Sequence, residues 1–272
     1  MEMITIKNKK EIEMMRQGGK LLAQIMQKLI SEIKPGVSTG HLEKMACDLI
    51  SQVGGRPSFK NYQSKYDSVS YPTALCASIN NEVVHSPALP SRELKQGDII
   101  GLDIGMEYPF YVNNTDDKSA KRGYYTDMAR TVPVGKISLE AQKLIDVTRE
   151  ALRLGVEQIR PGNTLNSIGR IIENYVRKHK FTVVRELVGH GVGHDVHEDP
   201  QVHNYNVPEN NKIILKQGVV LAIEPMVNAG GWRIKSGKDG FSFLTADNSL
   251  SAHFEQSVLI TENGYEILTD YE

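Results

Sequence analysis

Two acidic residues stand where acidic residues are costly. Asp103 lies inside the apolar run Ile99–Gly105, IIGLDIG, and Glu224 follows the run VVLAI. A carboxylate in such a strand needs a charged partner, a hydrogen-bond donor or a metal ion. Asp127 precedes a strand-like MARTVPV and Glu255 precedes QSVLI, so two more carboxylates sit at the mouths of apolar segments. Residues 189–200, GHGVGHDVHEDP, set His190, His194 and His197 among three glycines, a residue that allows close approach of backbone or ligand. Four carboxylates drawn to one point repel one another, and a multivalent cation is the natural compensation. An added neutral imidazole makes a mixed oxygen and nitrogen site suited to Mn, Fe, Co or Zn rather than Ca. Two such ions about 3.5–4 Å apart, sharing a water, would lower its pKa toward about 7 and supply hydroxide at neutral pH. That chemistry is hydrolysis of an ester or an amide; these residues do not say which. His85, at the end of SINNEVVH, is a further candidate for the same site.

The elements that must position these groups form two similar series. Residues 10–31 place Ile12, Met15, Leu22, Ile25 and Leu29 at helical spacing. The turn Ile33-Lys34-Pro35-Gly36 ends that helix, and Ser38 or Thr39 can cap the next, through Leu42, Met45, Ala46 and Leu49. Residues 51–75 are polar and turn-rich, and 76–135 read as short strands. The second half begins again with a helix over 138–158, the turn Ile159-Arg160-Pro161-Gly162 and a helix through Ile168, Ile172 and Tyr175. The two turns are offset by 126 positions; LKQG before Asp103 and LKQG before Glu224 are offset by 121; Thr126-Asp127 and Phe254-Glu255 by 128. Three matches in one order predict an internal duplication, with halves of roughly 10–135 and 138–268 in one domain spanning 1–272.

Composition limits the alternatives. Net charge is −1, from 32 basic and 33 acidic residues, so no basic excess points to nucleic acid or a membrane surface. Two cysteines, Cys47 and Cys76, are too few for a disulfide framework. Charges interrupt the N-terminal segment MEMITIKNKKEIEMMRQGGK, so neither a signal peptide nor a membrane span is expected there, and the chain reads as cytoplasmic.

Almost the whole chain resembles the type I methionine aminopeptidases. The resemblance runs from IKNKKEIEMMRQGGKLLA and IKPGVST through CASINNEVVH, GHGVGHDVHEDPQVHNY and EPMVNAGG to TADNSLSAHFEQSVLITENGYEILT. The glycine-histidine motif and the last segment are its most specific parts. It implies an α/β pita-bread fold, two pseudo-symmetric halves with a curved antiparallel β-sheet flanked by helices. It implies five metal ligands, Asp103, Asp127, His190, Glu224 and Glu255, holding two divalent ions from among Co, Mn, Fe, Zn and Ni. Asp127 and Glu255 would bridge both ions, and Glu224 would also act as general base. His197 would bind the scissile amide and its tetrahedral intermediate, and His85 would contact substrate beside the cleaved bond. Tyr71, Cys76 and Phe241 match positions in the pocket for the methionine side chain. The implied partners are nascent polypeptide N-termini with a small second residue and the ribosome they emerge from; nucleic acid and membrane are not expected, and a monomer is.

The chain departs from the family pattern in several places. Phe241 stands where many members have Trp and Val196 where some have Phe, changes that resize an apolar wall. His253 replaces a common Gln, and His194 a common Arg. Asp103 and Asp127 lie 24 positions apart, farther than is usual. Residues 106–124 read as an exposed insertion, either a neutral surface hairpin or one that narrows the cleft and limits which polypeptide N-termini enter. Two other readings stay open: a Xaa-Pro aminopeptidase or prolidase on the same fold, and a non-enzymatic binding module that shares it.

Overall fold

Four helices and a curled sheet organise the computed structural model, which describes residues 4–63, 69–110 and 123–270. Helix α1 spans Lys9–Ser31 and α2 spans Thr39–Gln52; α3 spans Leu139–Val156 and α4 spans Leu165–Lys178. Their starts are written locally. At α1 the Asn8 side chain accepts the Lys10 and Glu11 amides, while the Asn8 amide donates to Glu11 Oε2 at 2.7 Å, a reciprocal capping box. Ser38 and Ser138 cap α2 and α3 by accepting the His41 and Ala141 amides.

The two pairs of helices are anchored alike. The Gly36 amide donates to Leu94 O, the Leu94 amide to Val37 O and the Thr39 amide to Arg92 O, each at 2.8 Å. In the second half the Gly162 amide donates to Leu215 O at 3.2 Å, Leu215 to Asn163 O at 2.8 Å and Leu165 to Ile213 O at 2.9 Å. The Pro-Gly turns and the LKQG segments, far apart in sequence, are thus partners in space within each half. Each half also has its own apolar core. Leu22, Met26, Leu42 and Ile50 pack on Leu75, Ile100, Leu102 and Ile104; Leu144, Leu152, Ile168 and Ile172 pack on Leu221, Ile223 and Val258.

Among the described residues the main sheet has nine strands, all paired antiparallel. Its path runs through Arg56–Pro57, Ile99–Tyr108, Tyr124–Pro133, Glu255–Ile260, Val220–Ile223, Gly189–Gly191 and Glu198–Val202. Leu75–Ile79 also pairs with Ile99–Tyr108, and Tyr265–Ile267 with Glu255–Ile260. The halves meet where Glu255 and Gln256 pair with Ala129 and Met128. This is the two-half architecture expected from the sequence.

The strands around Asp103 and Asp127 are not short. Ile99–Tyr108 and Tyr124–Pro133 are ten residues each and pair over their full length, from Ile99–Pro133 to Tyr108–Tyr124. Glycine and acidic residues inside the runs hide that length from hydropathy alone. The ends of the expected 106–124 insertion belong to this hairpin. Tyr108 and Tyr124 are cross-strand neighbours, and the Arg56 guanidinium lies 4.7 Å from the Phe110 ring centroid. The middle of the insertion, 111–122, and with it any narrowing of the cleft, lies outside the described residues, as do residues 64–68. No described helix is long and apolar enough to cross a membrane.

Gly191 marks a tight point in the sheet, because a Cβ there would lie 2.4 Å from Asp199 O, a backbone atom. Gly191→Ala should therefore lower stability by about 1–3 kcal/mol. Thermal unfolding of the metal-free chain should show a drop of several degrees, at roughly 2–4 °C per kcal/mol for a domain of this size. An unchanged Tm would mean that the sheet yields freely at this point.

Candidate metal centre

Register gathers the acidic residues on one face. Asp103 lies opposite Ala129, and Asp127 lies opposite Gly105, whose missing side chain leaves room for Ser58 and Phe59. Side chains alternate faces along a strand, so Asp103, Asp127 and Ala129 share one. Glu255 is also paired with Ala129, and Cys76 with Asp103, which brings both to that same face.

Glu224 and Glu255 arrive by a bend. The Val220–Ile223 and Glu255–Ile260 strands pair in register from Leu259–Val220 to Gln256–Ile223. The same register resumes at Met226–His253, but in a second, three-stranded sheet. Between them stand Glu224-Pro225 and Phe254-Glu255, at the corner where both strands leave the main sheet. Pro225 has no amide hydrogen to continue the ladder. Side-chain hydroxyls secure the neighbouring seam with the Tyr124–Pro133 strand. Ser257 Oγ accepts the Asp127 amide and donates to Asp127 O, both at 2.9 Å, and Thr131 Oγ1 does the same for His253 at 2.9 Å.

The resulting pocket, about 390 Å³, is lined by Asp103, Asp127, His190, Glu224 and Glu255, and also by His85, His197, Tyr71, Cys76 and Phe241. These ten residues therefore face one cavity. Ligand atoms of Asp127, His190 and Glu255 lie within 4.8 Å of one another. His190 Nδ1 lies 2.9 Å from Gly191 O, to which it donates as the neutral tautomer. Its Nε2 lone pair then faces the carboxylates, 3.6 Å from Glu224 Oε1 and 4.0 Å from Glu255 Oε1.

The electrostatics are those of a charge cluster lacking its counter-charge. Asp103 Oδ1, Asp127 Oδ1 and Glu255 Oε1 are buried and accept no hydrogen bond from the described residues. Burial pushes the Asp127 carboxyl up to about 7. Burial, then the neighbouring Asp127, pushes Asp103 well above the carboxylate range. Burial and the other carboxylates do the same to Glu224 and Glu255. His190 is pulled down to about 3, chiefly by burial, so the imidazole is neutral. Acceptor oxygens without donors, beside a bare imidazole nitrogen, fit divalent metal ions, which satisfy both the lone pairs and the charge.

The rest of the pocket is aromatic. Tyr71 meets Phe241 edge to face at 5.5 Å and Phe59 at 6.5 Å, and its hydroxyl donates to Cys76 Sγ at 3.1 Å. His197 Nδ1 lies 3.2 Å from the Tyr62 hydroxyl, and the His197 ring lies 4.5 Å from that of His190. His85, at φ 58°, sets its ring 5.7 Å from Phe243. Phe59, Tyr62, Leu187 and Phe243 line the pocket but carried no signal in the sequence; the first two come from a turn-rich stretch with no period to read. Val196, expected in the wall, is buried and is not among the pocket-lining residues. His194 pairs with Glu11 at 3.2 Å, outside the pocket lining. His253 sets Nε2 3.3 Å from Glu224 Oε2.

The chain is similar to known proteins over nearly its whole length. The model for metallopeptidase family M24 matches residues 13–262. A methionine aminopeptidase of Clostridium perfringens is 42% identical over 268 residues, covering 98% of this chain and 99% of its own. Methionine aminopeptidase 1 of Bacillus subtilis is 43% identical with the same coverage. The crystal structure of methionine aminopeptidase from Thermotoga maritima superposes with a TM-score of 0.89 at 38% identity, over 98% of this chain and all of that one. Prolidase from Pyrococcus horikoshii, at 21% identity and a TM-score of 0.73, shares the fold.

The raised carboxyls predict proton release. Titrating Mn into the metal-free chain at about pH 6.5 should displace protons, because metal ligands must be deprotonated. Calorimetry in two buffers of different ionisation enthalpy counts them, and a count of zero would contradict the raised values. The sign for stability follows from Asp127, whose folded pKa of about 7 exceeds the ordinary value of about 3.9. Its contribution is fully present below about pH 4 and is lost as pH rises through about 7. The rise in Tm on adding metal should accordingly be larger at about pH 7.5 than at about pH 5.

Proposed function

The chain belongs to metallopeptidase family M24 and, within it, to the methionine aminopeptidases, and from that membership we propose how its own residues remove an N-terminal methionine. It is a metal-dependent aminopeptidase that hydrolyses the bond after that methionine. The observation that carries the residue assignment is the set of buried carboxylate oxygens without donors, beside a bare His190 Nε2 in one pocket.

In this reading Asp103, Asp127, His190, Glu224 and Glu255 hold two divalent ions drawn from Co, Mn, Fe, Zn and Ni. Asp127 and Glu255 would be shared between the ions, as the resemblance implies, with Asp103 serving one and His190 with Glu224 the other. Ions bound there acidify water toward a pKa of about 7 and so supply hydroxide at neutral pH. Glu224, whose proton affinity burial raises, takes the proton of the attacking water and passes it on to the leaving amine. His197, its Nδ1 set against the Tyr62 hydroxyl, offers Nε2 to the scissile amide and to the oxyanion that develops there. His85 lies beside the bond and assists protonation.

Phe59, Tyr71, Cys76 and Phe241 enclose the methionine side chain, which sulfur–aromatic contact favours. A small second residue then fits the remaining space. Nascent N-termini are the physiological substrate, and a cytoplasmic monomer working near the ribosome belongs to the same proposal. So does an origin by duplication, supported by the matched anchoring of the two helix pairs.

Asp127→Ala should abolish most metal binding and reduce kcat/KM by roughly a thousandfold or more, since the metals supply several kcal/mol of transition-state stabilisation. A variant with wild-type turnover would overturn the five-ligand assignment. Substrate choice is read with a peptide panel. Met-Ala-Ser should be cleaved efficiently, whereas Leu-Ala, Ala-Pro and Met-Lys peptides should not. Preference for Ala-Pro would favour prolidase-like chemistry, and cleavage before Lys would remove the small-residue requirement.

A further inference from the structure

The turn that carries His197 is tied to the chain's N-terminal segment through a buried ion pair. Lys7 Nζ lies 2.6 Å from Glu198 Oε2, and both side chains are nearly inaccessible, at 1% and 6% exposure. Thr5 joins them: its hydroxyl donates to Glu198 and accepts from Lys7 Nζ at 2.5 Å. The other Glu198 oxygen, Oε1, accepts the backbone amides of His194, at 2.5 Å, and Asp195, at 3.2 Å. One carboxylate thus binds Lys7 on one side and closes the 194–198 turn on the other. Glu198 directly follows His197 and pairs with Gly191, which directly follows His190.

Several contacts hold the N-terminal segment in place. The Lys7 amide donates to Gly218 O at 2.8 Å. The Lys7 stem crosses Gly193 so closely that a Cβ there would lie 2.4 Å from Lys7 Cε. Gly193 O in turn accepts the Tyr125 amide at 2.8 Å, on the strand that bears Asp127. A buried carboxylate deprived of its cation must protonate or move toward water. Either event loosens the amides that Glu198 holds, and with them the backbone on both sides of His197.

We propose that Lys7, through Glu198 and Thr5, is a positioning residue for His197, so that the N-terminal segment sets the orientation of a group that meets the scissile amide. This rests on the role of His197 given above. Lys7 reaches neither the pocket nor any proposed metal ligand, so its effect should appear in turnover and leave metal affinity unchanged.

A double-mutant cycle between Lys7→Met and His197→Ala tests this on the metal-loaded enzyme with Met-Ala-Ser. Lys7→Met should lower kcat about tenfold, with KM and calorimetric metal affinity within about twofold of wild type. In the His197→Ala background the same change should alter kcat by less than about twofold, because no imidazole remains to be misplaced. An equal factor in both backgrounds would show a general structural role and overturn the proposal. Wild-type turnover by His197→Ala alone would instead overturn the role of His197, and the proposal with it. If Lys7→Met does not fold, Thr5→Val, which keeps both charges, takes its place in the cycle. It should show a smaller loss of kcat that likewise vanishes without His197, and a loss that persists overturns the proposal.

Discussion

Four carboxyl groups buried in one pocket are the constraint to which the rest of the molecule answers. Asp103, Asp127 and Glu255 are buried and Glu224 largely so, and the first three each present an oxygen that no donor among the described residues meets. Within the protein alone the arrangement is unfavourable: desolvation and mutual repulsion both favour the protonated forms. His190, held neutral, adds a lone pair and no charge. The chain has assembled acceptors in excess of donors, and divalent cations resolve the imbalance. The same excess makes the site reactive, because ions there have enough charge to acidify water.

Holding repelling groups together requires a stiff frame. The ten-residue hairpin fixes Asp103 and Asp127 by a continuous ladder. The bent pair of strands fixes Glu224 and Glu255 at a corner, where Pro225 interrupts the hydrogen bonding. Ser257 and Thr131 tie these strands to the Tyr124–Pro133 strand through side-chain hydroxyls that bond the backbone of Asp127 and His253. Behind the sheet, two cores with similar anchoring support one half each. Fold and site are therefore one problem, since the strands that close the sheet also deliver the charges.

Much of this was legible in the sequence because burying charge is costly. Asp103 and Glu224 were conspicuous as carboxylates in apolar runs, and the repeated LKQG segments linked them. Asp127 and Glu255 depended on the looser third match, and His190 on its flanking glycines. Elements written by local rules, such as the Ser38 cap, were equally readable. What could not be read depends on long-range packing. Tyr62, which meets His197, lies in a polar stretch with no period, 135 residues away in sequence. The bend at Glu224 and Pro225 shows only when two strands are seen to change sheets together. Val196 looked like a wall residue because of its place in a motif, whereas the fold turns it into the core.

If this carboxylate cluster binds two metal ions, both should be visible in a crystal. Anomalous diffraction from crystals grown with Mn tests it most directly. Two peaks about 3.5–4 Å apart are expected, both within the pocket formed by Asp103, Asp127, His190, Glu224 and Glu255. A single peak at saturating metal, or peaks elsewhere with the pocket empty, would contradict it.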